Sequence, residues 1–441
     1  MASFSTAPGA EALRGLGGPA APIPGATSGP LPGAQIIDDS GPITYGERLA
    51  TFLISFRQKA RAAGVSDRTV DAAFEGISVD PAVLARDNNQ PEFTRPIGDY
   101  IGRALRDASP QLFRSRTAGL GPLLQRLEQT HGTPPEILAA VWAMESSFGR
   151  VTGDMDVIRS LVTLAVSGRR GAFAEAELMA ALRILDRGLA ERSTLKGSWA
   201  GAMGQTQFMP SDYLAYAEDG DGDGRRDIWT SSADALASTA NFLDRKGHWR
   251  AGESWAREAA LPAGFDYGLA DADLKPIEAW LRLGVRLAES RPIRVADFGE
   301  PVQLLLPAGW RGPAFFAFPN HMAIRAYNNS TAYALAVGLM ADRFAGRLDL
   351  AASWPNDPPL RLADRMEAQK ALALLGYDAG VPDGVLGFRT RKAVKVWQKT
   401  RGLPSDGYLT LSLIDQLRSE AGLGVVAPPT AAAPANAAAT D

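Results

Sequence analysis

The segment TPPEILAAVWAMESSFGR, residues 133–150, decides how the chain is read. Thr133, Pro134 and Glu136 have the pattern of a helix start: a threonine N-cap, proline at the first helical position, and a glutamate at the third completing a capping box. Residues 137–144 are apolar nearly all round, which marks a buried helix. Gly149 is expected to stop it. Glu145 then falls in the last turn of a buried helix, where desolvation and the negative end of the helix dipole both disfavour the carboxylate. A carboxyl that keeps its proton near neutral pH suits a proton donor. The bland alternative is a buried glutamate neutralised by Arg150 or another base, because structural ion pairs also shift pKa values.

Three more segments bear on that choice. GSWAGAMGQTQFMPS, residues 197–211, combines small residues with Ser198, Gln205 and Gln207. Small residues let backbone approach a ligand, and these polar groups suit sugar hydroxyls and acetamides. A tight glycine-rich loop with no ligand is the plain alternative. AYNNSTAYALAVG, residues 326–338, places Tyr327, Asn328, Ser330 and Tyr333 at the head of an apolar helix. There Ser330 is equally an N-cap, and the tyrosines equally core aromatics with one wet end. EDGDGDGRRDIWT, residues 218–230, sets Asp219, Asp221 and Asp223 at positions 1, 3 and 5 of an EF-hand-type loop, with Gly224 at the turn. Arg225 and Thr230 complete the candidate metal set. Thr230 stands at position 12, where a bidentate glutamate is usual, so any calcium binding is expected to be weak or conditional.

The whole chain narrows the chemistry further. Its 441 residues allow two or three domains, and 46 % hydrophobic with 22 % charged residues is a globular balance. A net charge of -3 gives no reason to expect nucleic acid or anionic membrane as partner. There is no cysteine, which excludes disulfides, thiolate metal sites, cysteine nucleophiles and cysteine-linked lipid anchors. His131, His248 and His321 form no HExxH-type pair, and neither a P-loop nor a GxSxG elbow is present. Proton chemistry here falls to carboxylates. No apolar run reaches the ~18 residues that span a bilayer. The N-terminus also lacks the charged start and continuous apolar core of a secretory signal.

Composition divides the chain. Residues 1–42 are rich in Gly, Pro, Ala and Ser and are expected to be disordered, as is the tail 422–441. A mainly helical body is expected over 43–355. Helices are expected from Tyr45, after Ser66, and near 97–107, 110–130, 134–146, 171–190, 231–247 and 331–345. VQLLLPAGWRGPAFFAF, two apolar runs about a Pro-Gly turn, predicts a small β element. WPNDPP, residues 354–359, is a joint. Beyond it, over 360–421, DGVLGFRT from Asp383 and DGYLTLS from Asp406 echo each other, predicting a small helical unit of two similar halves.

Taken together, ESSFG, GAMGQTQFMPS, the aspartate-rich loop and YNNSTAYALAV, in this order over residues 46–350, resemble the lytic murein transglycosylases of the membrane-bound B-like family. The resemblance implies a mainly α fold, a lysozyme-like domain with a small β element. It also implies cleavage of the β-1,4 bond between N-acetylmuramic acid and N-acetylglucosamine in peptidoglycan, with a 1,6-anhydromuramyl product. Glu145 matches the family's single catalytic acid/base. Ser198, Gln207, Tyr327, Asn328 and Tyr333 match positions lining the sugar groove, and Asp219, Asp221 and Asp223 match metal-loop positions. No cofactor is implied for the chemistry, only a structural calcium ion. A periplasmic home is implied, though no export signal is visible. The last module, through Leu375-Gly376-Tyr377, Asp383-Gly384, Thr390 and Trp397-Gln398, resembles the three-helix peptidoglycan-binding domain. Two other readings stay open. One is a hydrolytic muramidase with Asp212 or Asp154 as second carboxylate; the other is a non-catalytic wall-binding scaffold.

Overall fold

The structure, a computed structural model, describes residues 44–88, 95–168, 170–272, 274–288 and 298–424. The expected disordered segment 1–42, and the tail from residue 425, lie outside the described residues. The chain divides into two units between Asn356 and Asp357, within the WPNDPP joint.

Local signals explain most helix starts in the first unit. Thr44 and Glu47 form a complete capping box at the head of α1 (Tyr45–Ala62). Ser66 caps α2 (Asp67–Phe74). Then follow α3 (Pro81–Asn88), α4 (Ile97–Ala104), α5 (Pro110–Arg116), α6 (Gly121–His131) and α7 (Pro135–Ser146). The single helix expected over 110–130 is two helices. Gly119 adopts φ +81°, and Pro122 lies in the first turn of α6, so the chain turns between them.

The next stretch holds β1 (Met155–Asp156), α8 (Val157–Ser167), α9 (Gly171–Asp186), β2 (Lys196–Gly197), α10 (Pro210–Tyr216) and α11 (Ser232–Arg245). The β element is larger than the sequence indicated. β3 (Ala256–Ala260), β4 (Lys275–Pro276), β5 (Arg286–Leu287), β6 (Pro301–Leu305) and β7 (Ala314–Ala317) form an antiparallel sheet in the order β4-β6-β7-β3-β5, with α12 (Ile277–Arg282) following β4. Its two-residue edge strands are too short to announce themselves by alternation. The unit closes with α13 (Pro319–Tyr327) and α14 (Thr331–Phe344).

Helix α7 runs through the main core. Ile137, Leu138, Ala139, Ala140, Val141 and Trp142 are all buried on it, and each large side chain so buried contributes about 2 kcal/mol. It packs on α14, whose Ala334, Ala336 and Gly338 keep that helix narrow. A Cβ at Gly338 would lie 2.3 Å from the Trp255 ring, so only glycine fits there. The sheet has its own core around Ile277, Trp280, Val302, Leu304 and Phe316.

The second unit is a three-helix module: α15 (Leu362–Leu374), α16 (Phe388–Thr400) and α17 (Leu411–Glu420), closed over Leu372, Val394, Trp397 and Leu417. The echo seen in the sequence is physical. Gln369 Oε1 accepts the Gly384 N–H at 2.7 Å, and Gln398 Oε1 accepts the Gly407 N–H at 2.8 Å. Each glutamine also donates to the aspartate before that glycine, Asp383 and Asp406. Each half is thus a buried glutamine clasping an Asp-Gly turn.

Candidate active site

The start of α7 departs from the expected capping box. Pro134, not Thr133, is the N-cap residue and makes no side-chain cap bond, while the buried Thr133 hydroxyl finds no partner. The two prolines fix the entry instead. The far end is more unusual. Ser147 and Phe148 have φ of 51° and 62°, and Gly149 has 76°. Two non-glycine residues in the left-handed region are strained. The turn is held by the Gly149 N–H donating to Ser146 Oγ at 2.8 Å, and by the Phe148 N–H reaching the Trp142 carbonyl at 3.2 Å.

Glu145 sits just before this turn, partly buried rather than sealed. Tyr333, near the head of α14, donates its hydroxyl to Glu145 Oε1 at 2.5 Å. Burial pushes the carboxyl from 4.5 up to about 7, against the opposing pull of the Tyr333 hydrogen bond. Arg150, the alternative partner, instead donates to the Ser147 carbonyl. The carboxyl is therefore dry enough to hold a proton near neutral pH and open enough to be reached.

Of the other candidate residues, Tyr333 and Tyr327 neighbour Glu145 directly, and the rest have different tasks. Tyr327 ends α13 rather than heading the next helix; its hydroxyl donates to the Thr206 carbonyl at 2.5 Å, and its ring packs on Phe242. Burial, then the neighbouring Glu145, raise the Tyr327 phenol. Burial and Glu145 likewise raise that of Tyr333. Both tyrosines stay protonated donors. Asn328 is exposed at the C-cap of α13. Ser330 is the N-cap of α14, accepting the Tyr333 N–H, so it sets where Tyr333 points. Gln207 takes φ 52° and donates to the Thr152 and Gly204 carbonyls, both at 2.9 Å. Ser198 Oγ accepts the Ala202 N–H. The chain after Glu145 lies against this loop so closely that a Cβ at Gly153 would stand 2.3 Å from the Gly197 carbonyl. Gln205, like its neighbour Thr206, is turned inward. It is buried with its side chain engaged by Trp142, Ser232 and Trp229, so it faces the interior and not a ligand.

The acidic loop joins α10 to α11. Asp219, Asp221 and Asp223 come together with Asp234, each offering an oxygen, all within 4.8 Å of one another. Ligands opposed across a calcium ion at 2.3–2.6 Å lie about 5 Å apart, so this donor set of hard oxygens fits that ion. Asp234 is fully buried, accepts the Gly220 and Asp227 N–H groups, and is raised chiefly by burial. It was not among the sequence candidates. The Ser-x-x-Asp spacing at 231–234, a helix-start signature, would have placed it beside the loop. Thr230 does not join the four; its hydroxyl turns to Asp227. The Arg225 N–H donates to Asp223 at 2.7 Å.

Of the carboxylates considered as a second catalytic group, Asp212 pairs with Lys246 at 2.6 Å and Asp154 is exposed. Among the described residues no helix is long and apolar enough to cross a membrane.

Comparison with known proteins places these features in a lineage. Residues 48–342 match the family model of the transglycosylase SLT domain, and residues 361–417 that of a peptidoglycan binding domain. The membrane-bound lytic murein transglycosylase B of Escherichia coli (strain K12) is 34 % identical over 220 residues, which are 48 % of this chain and 58 % of that protein. SltB3 from Pseudomonas aeruginosa, solved in complex with NAG-anhNAM-pentapeptide, is 46 % identical with a TM-score of 0.79, covering 84 % of this chain and 99 % of that one. The Escherichia coli lytic transglycosylase Slt35, solved in complex with calcium, is 28 % identical with a TM-score of 0.57, covering 68 % and 92 %.

Proposed function

The chain belongs to the transglycosylase SLT domain family, and from that premise we propose that it cleaves the β-1,4 bond between N-acetylmuramic acid and N-acetylglucosamine in peptidoglycan, leaving a 1,6-anhydromuramyl end. The observation that carries this reading is Glu145, a carboxyl held near pKa 7 at a half-open position and touched by Tyr333.

Glu145 acts first as acid, giving its proton to the glycosidic oxygen as the C1–O bond breaks. The substrate's 2-acetamido group meets the positive charge at C1. The ionised Glu145 then takes the proton of the C6 hydroxyl, whose oxygen closes on C1. No water enters, and Glu145 ends as it began. Because the attacking hydroxyl belongs to the same sugar, orientation replaces the second carboxylate that most glycosidases use. Ser198, Gln207, Tyr327 and Asn328 line the sugar groove, and Ser330 aims Tyr333. Asp219, Asp221, Asp223 and Asp234 would hold a calcium ion, which supplies loop rigidity and no chemistry. The module over 360–421 binds the wall that the first unit cuts, and the protein works in the periplasm, where that wall lies.

Glu145→Gln keeps the shape without a transferable proton. Release of soluble muropeptides from purified sacculi is expected to fall by about 10²–10⁴-fold, and wild-type products are expected to carry anhydro ends, one water lighter by mass spectrometry. Undiminished release by the variant ends the assignment; products without anhydro ends turn the reading to a hydrolase.

A further inference from the structure

Gln205 stands between the two halves of the site just described. On one side its Oε1 accepts the Trp142 indole N–H at 2.9 Å, one turn before Glu145 on α7. That same oxygen would lie 2.5 Å from a Cβ at Gly149, so the amide is pressed against the strained turn that follows Glu145. On the other side Oε1 accepts the Ser232 hydroxyl at 3.0 Å. Its Nε2 donates to the Trp229 carbonyl at 3.3 Å, and its backbone N–H donates to the Ile228 carbonyl at 2.9 Å. These three partners belong to the end of the acidic loop and the head of α11. There, Ser231 donates to Asp221 and accepts the Asp234 N–H, while Asp227 N–H donates to Asp234. Two of the four clustered carboxylates, Asp221 and Asp234, thus bond to residues next in sequence to Gln205's partners Ser232 and Ile228.

A turn with two left-handed non-glycine residues persists only where its surroundings over-determine it. Release of that strain would give a second state that a distant site could bias. We infer that Gln205 is a positioning residue that transmits cation occupancy of the acidic loop to the Ser147–Gly149 turn, and so fixes Glu145 against Tyr333. This rests on the calcium and acid/base readings above. A bound ion draws Asp221 and Asp234 in and stiffens residues 228–232. Gln205 then clamps Trp142 and the turn. The effect is expected on kcat more than on KM, because the bonds of this amide run to Trp142, Trp229 and Ser232 and not to Ser198, Gln207, Tyr327 or Asn328.

Hydrogen exchange of the full chain, with and without calcium chloride, reads the transmission directly. In the wild type, calcium is expected to slow exchange within 219–234 and also within 142–150, the latter about fivefold or more, the lower range of couplings between sites. In Gln205→Leu, and in the milder Ser232→Ala, calcium still protects 219–234, but protection of 142–150 is lost or halved. Calcium that protects the loop and leaves 142–150 unchanged in the wild type overturns the inference, as does a Gln205→Leu variant that transmits in full. No calcium effect on 219–234 sinks the metal reading and this one with it, while leaving the Glu145 assignment to its own test.

Discussion

The buried glutamines of the terminal module and Glu145 of the catalytic unit are held in opposite ways. Gln369 has its carbonyl on the Gly384 N–H and its amide shared among Asp383, the Val385 carbonyl and Thr390. Gln398 repeats the arrangement on Gly407, Asp406 and the Tyr408 carbonyl. Glu145 is an ionisable group whose burial favours its neutral form over its charged one, and Tyr333 is its side-chain partner among the described residues. A buried neutral amide with every bond made holds a shape. A buried carboxyl with few bonds holds a proton, because only the neutral form tolerates the site.

If that contrast is right, breaking a glutamine clasp is costly and breaks only structure. Gln369→Leu orphans the buried Gly384 N–H and removes the amide donor from its other partners. An unsatisfied buried group costs about 1–3 kcal/mol, and the lost bonds bring the total to about 3 kcal/mol. For a unit of this size that is a fall in Tm of more than about 10 °C. The measurement is the unfolding transition of the terminal unit within the full chain. Cleavage of soluble glycan strands by the catalytic unit is expected to stay at the wild-type rate. A loss of under 1 kcal/mol would erase the contrast.

The opposite substitution in the catalytic unit is expected to stabilise. The folded pKa of Glu145 is raised from 4.5 to about 7. Below pH 4.5 folded and unfolded chains both carry the proton, and the group costs nothing. As pH rises through 7 the folded chain must ionise a buried carboxyl or keep a proton the unfolded chain has released. About 3 kcal/mol of stability is missing above that range, at 1.36 kcal/mol for each pKa unit. Glu145→Gln removes this dependence. Its Tm is expected to match that of the wild type at pH 4 and to exceed it by several degrees at pH 8. Equal Tm values at both pH values would show a freely solvated carboxyl.

The sequence made much of this legible, and its failures have physical reasons. Helix α7 was readable because eight consecutive apolar residues leave no other home than a core. Its cap was misread because two prolines fix the chain entry without help from Thr133. The split of 110–130 is marked in the sequence by Gly119 and Gly121-Pro122, a turn signal that outweighs the helical spacing on either side. Gln205 and Gln207 look alike two residues apart. The left-handed turn at Gln207 sends one toward Thr152, while the other is swallowed between Trp142 and Ser232. Asp234 was missed because the loop was counted to its twelfth residue, whereas the chain brings its fourth carboxylate from the first turn of α11.

The smallest expected effect is the most discriminating. Tyr333 donates to Glu145 and so favours the ionised form, pulling against burial. Removing that hydroxyl in Tyr333→Phe leaves burial unopposed, and the Glu145 pKa rises further. A hydrogen bond to a charged group is worth about 1.5–3 kcal/mol, which corresponds to a shift of about one to two units. If Glu145 is the proton donor proposed above, it must be protonated to act, and it then sets the alkaline limb of the rate profile. That limb is expected to move to higher pH in Tyr333→Phe, while the rate on the plateau falls by roughly tenfold or less through looser aim, an order of magnitude being about 1.4 kcal/mol. A limb that stays in place assigns the limb to another group. A limb that moves to lower pH means that Tyr333 stabilises the protonated acid, and that the contrast between the two regions is drawn at the wrong bond.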